Sequence, residues 1–171
     1  MQWNFDSDLD GWAQSAPPME MGLDVDAISG FLRGVLLPNA QIEHAFVDSP
    51  PLRVALDAAD RDFVVLRMQH MGPCTKAMIA VEREQDEEQE DRGWKREHRS
   101  LNAPVEMPFE LIATSDPALY FIPVGRHVSG IVDRLRLYPC IATTAAAATA
   151  TSAHSGHAFR LDWVVFAKGM N

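Results

Sequence analysis

The sequence predicts an all-β protein, an antiparallel sandwich or barrel. Three observations carry that expectation. Short runs rich in β-branched, aromatic and other apolar residues recur along the chain. Turn signals built on Asp, Ser, Gly and Pro separate them. No long segment repeats its apolar residues every 3.6 positions, as an amphipathic helix must.

The elements follow in order. "WNFDSDLDGW" (Trp3 to Trp12) sets two tryptophans and Phe5 among Asp6, Asp8 and Asp10. Trp and Phe bury large apolar areas, whereas Asp is rarely buried without a partner. The stretch reads as an edge strand, Gln2 to Phe5, running into a turn, with Trp12 folded back over the core. "MEMGLDV" (Met19 to Val25) alternates loosely. "GFLRGVLL" (Gly30 to Leu37) is apolar and ends at Pro38. The one helix candidate, Asn39 to Phe46, starts after that proline with Asn39 as its cap. "LRVAL" (Leu52 to Leu56) follows the turn residues Asp48, Ser49, Pro50 and Pro51. "FVVLRMQH" (Phe63 to His70) and "KAMIAVER" (Lys76 to Arg83) come next. "VEMPFELIAT" (Val105 to Thr114) contains Pro108, which calls for an edge position or a bulge. "ALYFIPV" (Ala118 to Val124), "GIVDRLRLYP" (Gly130 to Pro139) and "FRLDWVVFA" (Phe159 to Ala167) complete the set.

Two segments break this rhythm. Residues 82–100 form an acidic run that turns basic and read as a solvated loop or extended strand ends. Residues 143–157 are low in complexity, rich in Ala and Thr, and read as a flexible insertion in a hairpin connection, where extra length costs little free energy.

The 171 residues suit one domain over positions 1–171, with 47% hydrophobic and 23% charged residues. No apolar run approaches the ~20 residues of a membrane helix, and no basic start precedes an apolar stretch, so neither membrane insertion nor a secretory signal is expected. The chain is thus expected to be intracellular, or a domain or mature form cut from something longer. A formal charge of −9, from 24 acids and 15 bases, argues against non-specific binding to nucleic acid or anionic membrane. Cys74 and Cys140 are too few for a disulfide framework. With no secretory signal, two buried free thiols are expected rather than a single bridge.

Alternation assigns faces. Phe159, Leu161, Trp163 and Val165 are expected on one side of the last strand, with Arg160, Asp162, Val164 and Phe166 on the other. In the strand before it, Ile131, Asp133, Leu135 and Leu137 oppose Val132, Arg134, Arg136 and Tyr138. In "FVVLRMQH", Val64, Leu66 and Met68 oppose Phe63, Val65, Arg67 and Gln69. Several strands thus carry one apolar and one mixed face, the pattern of a sandwich. If the strands adjoin, Arg67, Arg134, Arg136, Arg160 and Asp162 form a shared ion-pair ladder, or the floor of a groove where Arg and Gln hydrogen-bond hydroxyls.

The opening "WNFDSDLDGW", the middle "DSPPLRVAL" and "FVVLRMQH", and the ending "VSGIVDRLRLYP" and "FRLDWVVFA" together resemble jelly-roll, carbohydrate-binding-module-like (galactose-binding-like) sandwich domains. The likeness spans nearly the whole chain. It implies that the N-terminal aromatic segment pairs with a C-terminal strand, that Trp3, Phe5 and Trp12 pack a sandwich edge, and that Asp6, Asp8 and Asp10 lie in a turn compatible with, though not requiring, a structural calcium. No other cofactor is implied.

Catalytic chemistry finds little support. His154 and His157 form an HxxH pair inside the Ala/Thr-rich segment, where ordering a metal site costs entropy. Cys74 lies in no nucleophile motif. The sequence contains no GxSxG, Gly-rich phosphate loop, HExxH or CxxC. The expectation is a non-catalytic module that binds carbohydrate on the concave face of one sheet. Trp94, Tyr120 and Tyr138 are its candidate aromatics, with Arg67, Gln69, Arg134 and Arg136 as candidate hydrogen-bonding groups. The alternative is an interaction or assembly subunit without sugar binding, whose mixed face is closed by internal salt bridges and whose partner is a protein.

Overall fold

The structure, a computed structural model, describes residues 2–3, 5, 9–14, 23–28, 30–36, 45–56, 62–83, 103–141 and 158–168. Twelve strands occupy them: β1 (Gln2–Trp3), β2 (Ala13–Gln14), β3 (Leu23–Ile28), β4 (Phe31–Leu36), β5 (Val47–Asp48), β6 (Val54–Leu56), β7 (Phe63–Met71), β8 (Lys76–Arg83), β9 (Val105–Glu110), β10 (Ala118–Pro123), β11 (Gly130–Tyr138) and β12 (Ala158–Ala167). There is no helix among the described residues. Of the helix candidate, only Ala45 and Phe46 are described, and both are irregular. The acidic run beyond Arg83 and the Ala/Thr-rich segment lie outside the described residues.

All strand pairs are antiparallel. One sheet runs β10-β7-β12-β4-β3, with β1 continuing the β4 edge along β12; the other runs β2-β5-β11-β8-β9, with β6 beside β11. The two stack as the expected sandwich. Val64, Leu66, Met68 and Leu161 of the first sheet share one buried cluster with Ile79, Val81, Leu135 and Leu137 of the second. Pro108 sits on β9, an edge strand, where its missing N–H costs no ladder bond.

The N-terminal segment packs as expected. Trp3 pairs with Val164 on β12. Trp3, Phe5 and Trp12 are all buried. Their rings meet edge to face, Trp3 to Trp12 at 5.5 Å and Phe5 to Trp12 at 6.0 Å between centroids. A tight turn brings Trp12 back. Its N–H donates to the Leu9 carbonyl at 2.8 Å, and Asp10 and Gly11 both take positive φ, 49° and 77°, as a primed turn requires. Asp10 Oδ2 accepts the Phe5 N–H at 3.3 Å, so this carboxylate serves the turn. Asp6 and Asp8 lie outside the described residues, and the described His, Cys, Asp and Glu form no group able to hold a metal.

Two bulges correct the expected faces. In β12 the register shifts between Leu161 and Trp163, leaving Asp162 as the extra residue. An extra residue reverses every later side chain. Phe159 and Leu161 point inward as expected, but beyond the bulge it is Val164 and Phe166 that pack on the core, and Trp163 and Val165 turn outward. In β11 the shift falls between Val132 and Arg134, at Asp133. Val132 therefore joins Leu135 and Leu137 inside, while Ile131 is exposed.

The thiol expectation is also corrected. Cys74 and Cys140 form a disulfide, with Cα atoms 5.8 Å apart. The pairing of β8 with β11 brings them together: Tyr138 opposes Met78, and just beyond the ladder the Ile141 N–H still donates to the Lys76 carbonyl at 2.9 Å. Sixty-six positions of separation hide this proximity from local spacing.

Candidate functional site

The seven residues singled out from the sequence do not converge. Arg67 and Gln69 lie on β7 in the first sheet, and Arg134, Arg136 and Tyr138 lie on β11 in the second. Their side chains alternate with core residues in both strands, so they occupy opposite outer surfaces of the sandwich. Tyr120 alternates the other way. It is 6% exposed, meets the Phe109 ring at 5.1 Å between centroids with the planes tilted by 55°, and its hydroxyl accepts the Ile112 N–H at 3.1 Å. Trp94 lies outside the described residues.

The outer surface of the second sheet is closed by ion pairs. Arg136 Nε donates to Asp48 Oδ1 at 2.8 Å and Nη2 meets Glu82 Oε1 at 3.1 Å. The same guanidinium lies over the Phe46 ring at 4.0 Å, and Phe46 contacts Tyr138 at 5.0 Å between centroids. Arg134 Nη1 reaches Asp48 at 3.9 Å. Burial works against the charge of Arg136, but hydrogen bonds to Asp48 and Tyr138 and the charges of Asp48 and Glu82 outweigh it and hold the guanidinium above its ordinary pKa. Beside these groups an open depression is lined by Gly11, Asp48, Pro50 and Arg134, among others. The polar groups here largely satisfy one another.

The outer surface of the first sheet differs. Register aligns Leu119, Arg67 and Trp163 across β10, β7 and β12, and beside them Phe121, Val65 and Val165. Strands stand about 4.8 Å apart, so each row spans roughly 10 Å. Phe121 is 64% exposed and Leu119 47% exposed. Val65 is only 6% exposed, although it lies outside the buried cluster, because its flanking residues cover it. This makes an apolar pad with one aromatic ring standing free, a feature that marks binding surfaces when it is contiguous. Its polar members are fixed. Arg67 donates from Nη1 to Asp162 Oδ2, and Gln69 donates from Nε2 to the Ser115 carbonyl. The expected five-residue ladder is therefore split. Arg67 and Asp162 pair here, and Arg134 and Arg136 pair on the opposite surface.

Next along the same surface comes a polar row. Gln69 opposes Arg160, Arg160 opposes Arg33, and Arg33 opposes Asp26. Arg33 and Asp26 are 4.0 Å apart and both half exposed. Arg160 lies over the Phe31 ring at 3.8 Å.

Phe121, Leu119 and Trp163 were not among the sequence candidates. One signal was present. "ALYFIPV" is apolar at both alternating sets, so whichever set misses the core must leave apolar side chains outside. For Trp163 no such signal exists, because the bulge that turns it outward has no sequence mark beyond an Asp inside an apolar strand.

No protein-family model matches the sequence, and no curated protein matches it. Among solved structures the chain is similar to one named BiXyn10A CBM1 APO, at 8% identity and a TM-score of 0.54, covering 97% of this chain and 95% of that one. It is also similar to one named Carbohydrate binding module family29, at 9% identity and a TM-score of 0.53, covering 97% of this chain and 88% of that one. At such identities the likeness is one of fold, and the sandwich architecture is what this chain shares with both.

Proposed function

We infer that the chain is a non-catalytic carbohydrate-binding module, and that saccharide lies on the outer surface of β10, β7 and β12. The observation that carries this reading is the exposed ring of Phe121 in one apolar pad with Leu119 and Trp163, beside the Arg67–Asp162 pair and Gln69. A sugar ring has an apolar C–H face and a hydroxyl rim. An aromatic side chain suits the first, and planar groups already held in place suit the second at low entropic cost. The fold shared with a named carbohydrate-binding module supports the same reading, as does the resemblance of the sequence to galactose-binding-like jelly rolls.

The alternative, an assembly subunit without sugar binding, draws on the ion pairs that close the surface around Arg136. That surface offers no free aromatic ring among the described residues, whereas the pad around Phe121 does, so the binding reading accounts for more.

The test is affinity electrophoresis in gels containing single neutral polysaccharides (β-glucan, mannan, xylan and galactan), run with calcium and with chelator. At least one polymer is expected to retard the protein. Phe121→Ala is expected to abolish the retardation while the melting temperature stays within about 2 °C, because an exposed ring contributes little to stability. Full mobility in every gel, or undiminished retardation of the variant, would overturn the reading.

A further inference from the structure

The surface that carries the pad also carries a cation of unusual environment. Among the arginines of β4, β7, β11 and β12, Arg33 faces Asp26, Arg67 faces Asp162, and Arg134 and Arg136 face Asp48. Arg160 has no carboxylate within ion-pair distance among the described residues. Its guanidinium carbon lies over the Phe31 ring instead, 3.8 Å from the centroid. A ring beneath a guanidinium holds the cation in place without using up its N–H donors, and those donors match a carboxylate with two parallel hydrogen bonds.

The neighbours favour the same ligand chemistry. Register sets Gln69 on one side of Arg160 and Arg33 on the other. All three groups can donate hydrogen bonds, and Arg33 holds its aspartate only at 4.0 Å. Across the bulge Arg160 opposes Gln69 and Trp163 opposes Arg67, two residues apart on β7, about 7 Å at ~3.3 Å per residue. A chain lying on the pad can therefore reach the row.

Net charge narrows the class further. At −9 the protein repels a polyanion at long range. A polymer with a carboxylate on every sugar meets that field along its whole length. A neutral backbone with isolated carboxylated sugars meets it only at those points, one of which Arg160 neutralises. Building on the carbohydrate-binding reading, we propose that Arg160, held over Phe31 and flanked by Gln69 and Arg33, selects a uronic-acid substituent on an otherwise neutral polysaccharide.

The experiment is isothermal titration of the full chain with three probes: a neutral xylo-oligosaccharide, the same oligosaccharide bearing one glucuronic acid, and the latter with its carboxyl group reduced to the alcohol. The acidic probe is expected to bind about tenfold more tightly than either neutral one, the contribution of one charge-assisted hydrogen-bonded contact. The advantage should shrink as salt rises, since the contact is partly exposed. In Arg160→Gln the ratio of acidic to neutral affinity should fall to near one. Phe31→Leu, which keeps the cation and removes its ring, should give an intermediate ratio. Circular dichroism and melting temperature check that each variant is folded. Equal affinity for all three probes in the unaltered protein, or an undiminished ratio in folded Arg160→Gln, would overturn the uronate assignment while leaving the module reading in place. Binding of none of the probes would overturn the uronate assignment, and full mobility in every polysaccharide gel as well would overturn both.

Discussion

Asp162 is the extra residue of the β12 bulge, and its carboxylate receives the guanidinium of Arg67 from the neighbouring strand. The two facts are linked. The bulge frees Asp162 from strict alternation, and it also turns Trp163 outward beside Arg67. One inserted residue thus supplies the surface with both an ion pair and an aromatic ring. The side chain of Arg67 is 44% exposed, so the pair is screened and adds little to folding. A double-mutant cycle of Arg67→Ala and Asp162→Ala, followed by urea denaturation, should return a coupling of about 0.5–1 kcal/mol. Saccharide affinity should fall severalfold in Asp162→Ala, since Arg67 then loses its fixed position. A coupling well above 2 kcal/mol would mean that the pair is structural rather than part of a binding surface.

The opposite surface gives the contrasting case. Asp48 is 8% exposed and serves Arg136 at 2.8 Å and Arg134 at 3.9 Å. Asp48→Ala takes the shared carboxylate from two guanidiniums that cannot shed their charge, leaving Arg136, held above its ordinary pKa, with Glu82 alone. A loss of about 2–3 kcal/mol is expected by urea denaturation, with saccharide affinity unchanged in the folded fraction. If affinity were lost instead while stability held, the binding surface would have to be moved to β11.

Most of the fold was legible in the sequence, because strand and turn signals are local. The run Lys76–Arg83 coincides with β8, and Pro108, a sign of an edge or a bulge, lies on an edge strand. The two-residue strands β2 and β5 were not read, since two residues cannot show alternation. The site was less legible. A bulge is invisible to a period-two pattern, so the expected face of Trp163 was inverted, and so was that of Ile131. Tyr120 and Phe121 are adjacent and both aromatic. Only the register of β10 on β7 decides which of them meets the core, and that depends on contacts far along the chain. Arg67 and Arg136 looked alike in sequence because each alternates with apolar residues. Their assignment to opposite surfaces follows from strand order, which no local pattern carries.

Gly34 and Phe159 oppose each other across β4 and β12, and the Phe159 ring occupies the space a side chain at position 34 would need. A Cβ built on Gly34 would overlap ring atoms Cε1 and Cζ. Both residues are buried, so the ring cannot swing into solvent. Gly34→Ala should cost about 2–3 kcal/mol through overpacking, read as a lower urea midpoint at unchanged slope. Adding Phe159→Leu should recover part of that loss by making room. A Gly34→Ala variant within about 0.5 kcal/mol of the unaltered protein would show that the ring has another place to go.

The Cys74–Cys140 bridge closes a long loop that contains β8, β9 and β10 and leads through β11. Chain entropy sets the scale of its effect. Cross-linking residues 66 positions apart removes unfolded-state freedom worth about 4 kcal/mol at 25 °C. Cys140 is buried, so mild reductant should act slowly on the folded chain and quickly once urea opens it. Denaturation with and without reductant should therefore give midpoints that differ markedly, and Cys74→Ala with Cys140→Ala should follow the reduced curve. Coincident curves with and without reductant would mean that the bridge contributes nothing to stability, and that the β8–β11 ladder alone holds the two segments together.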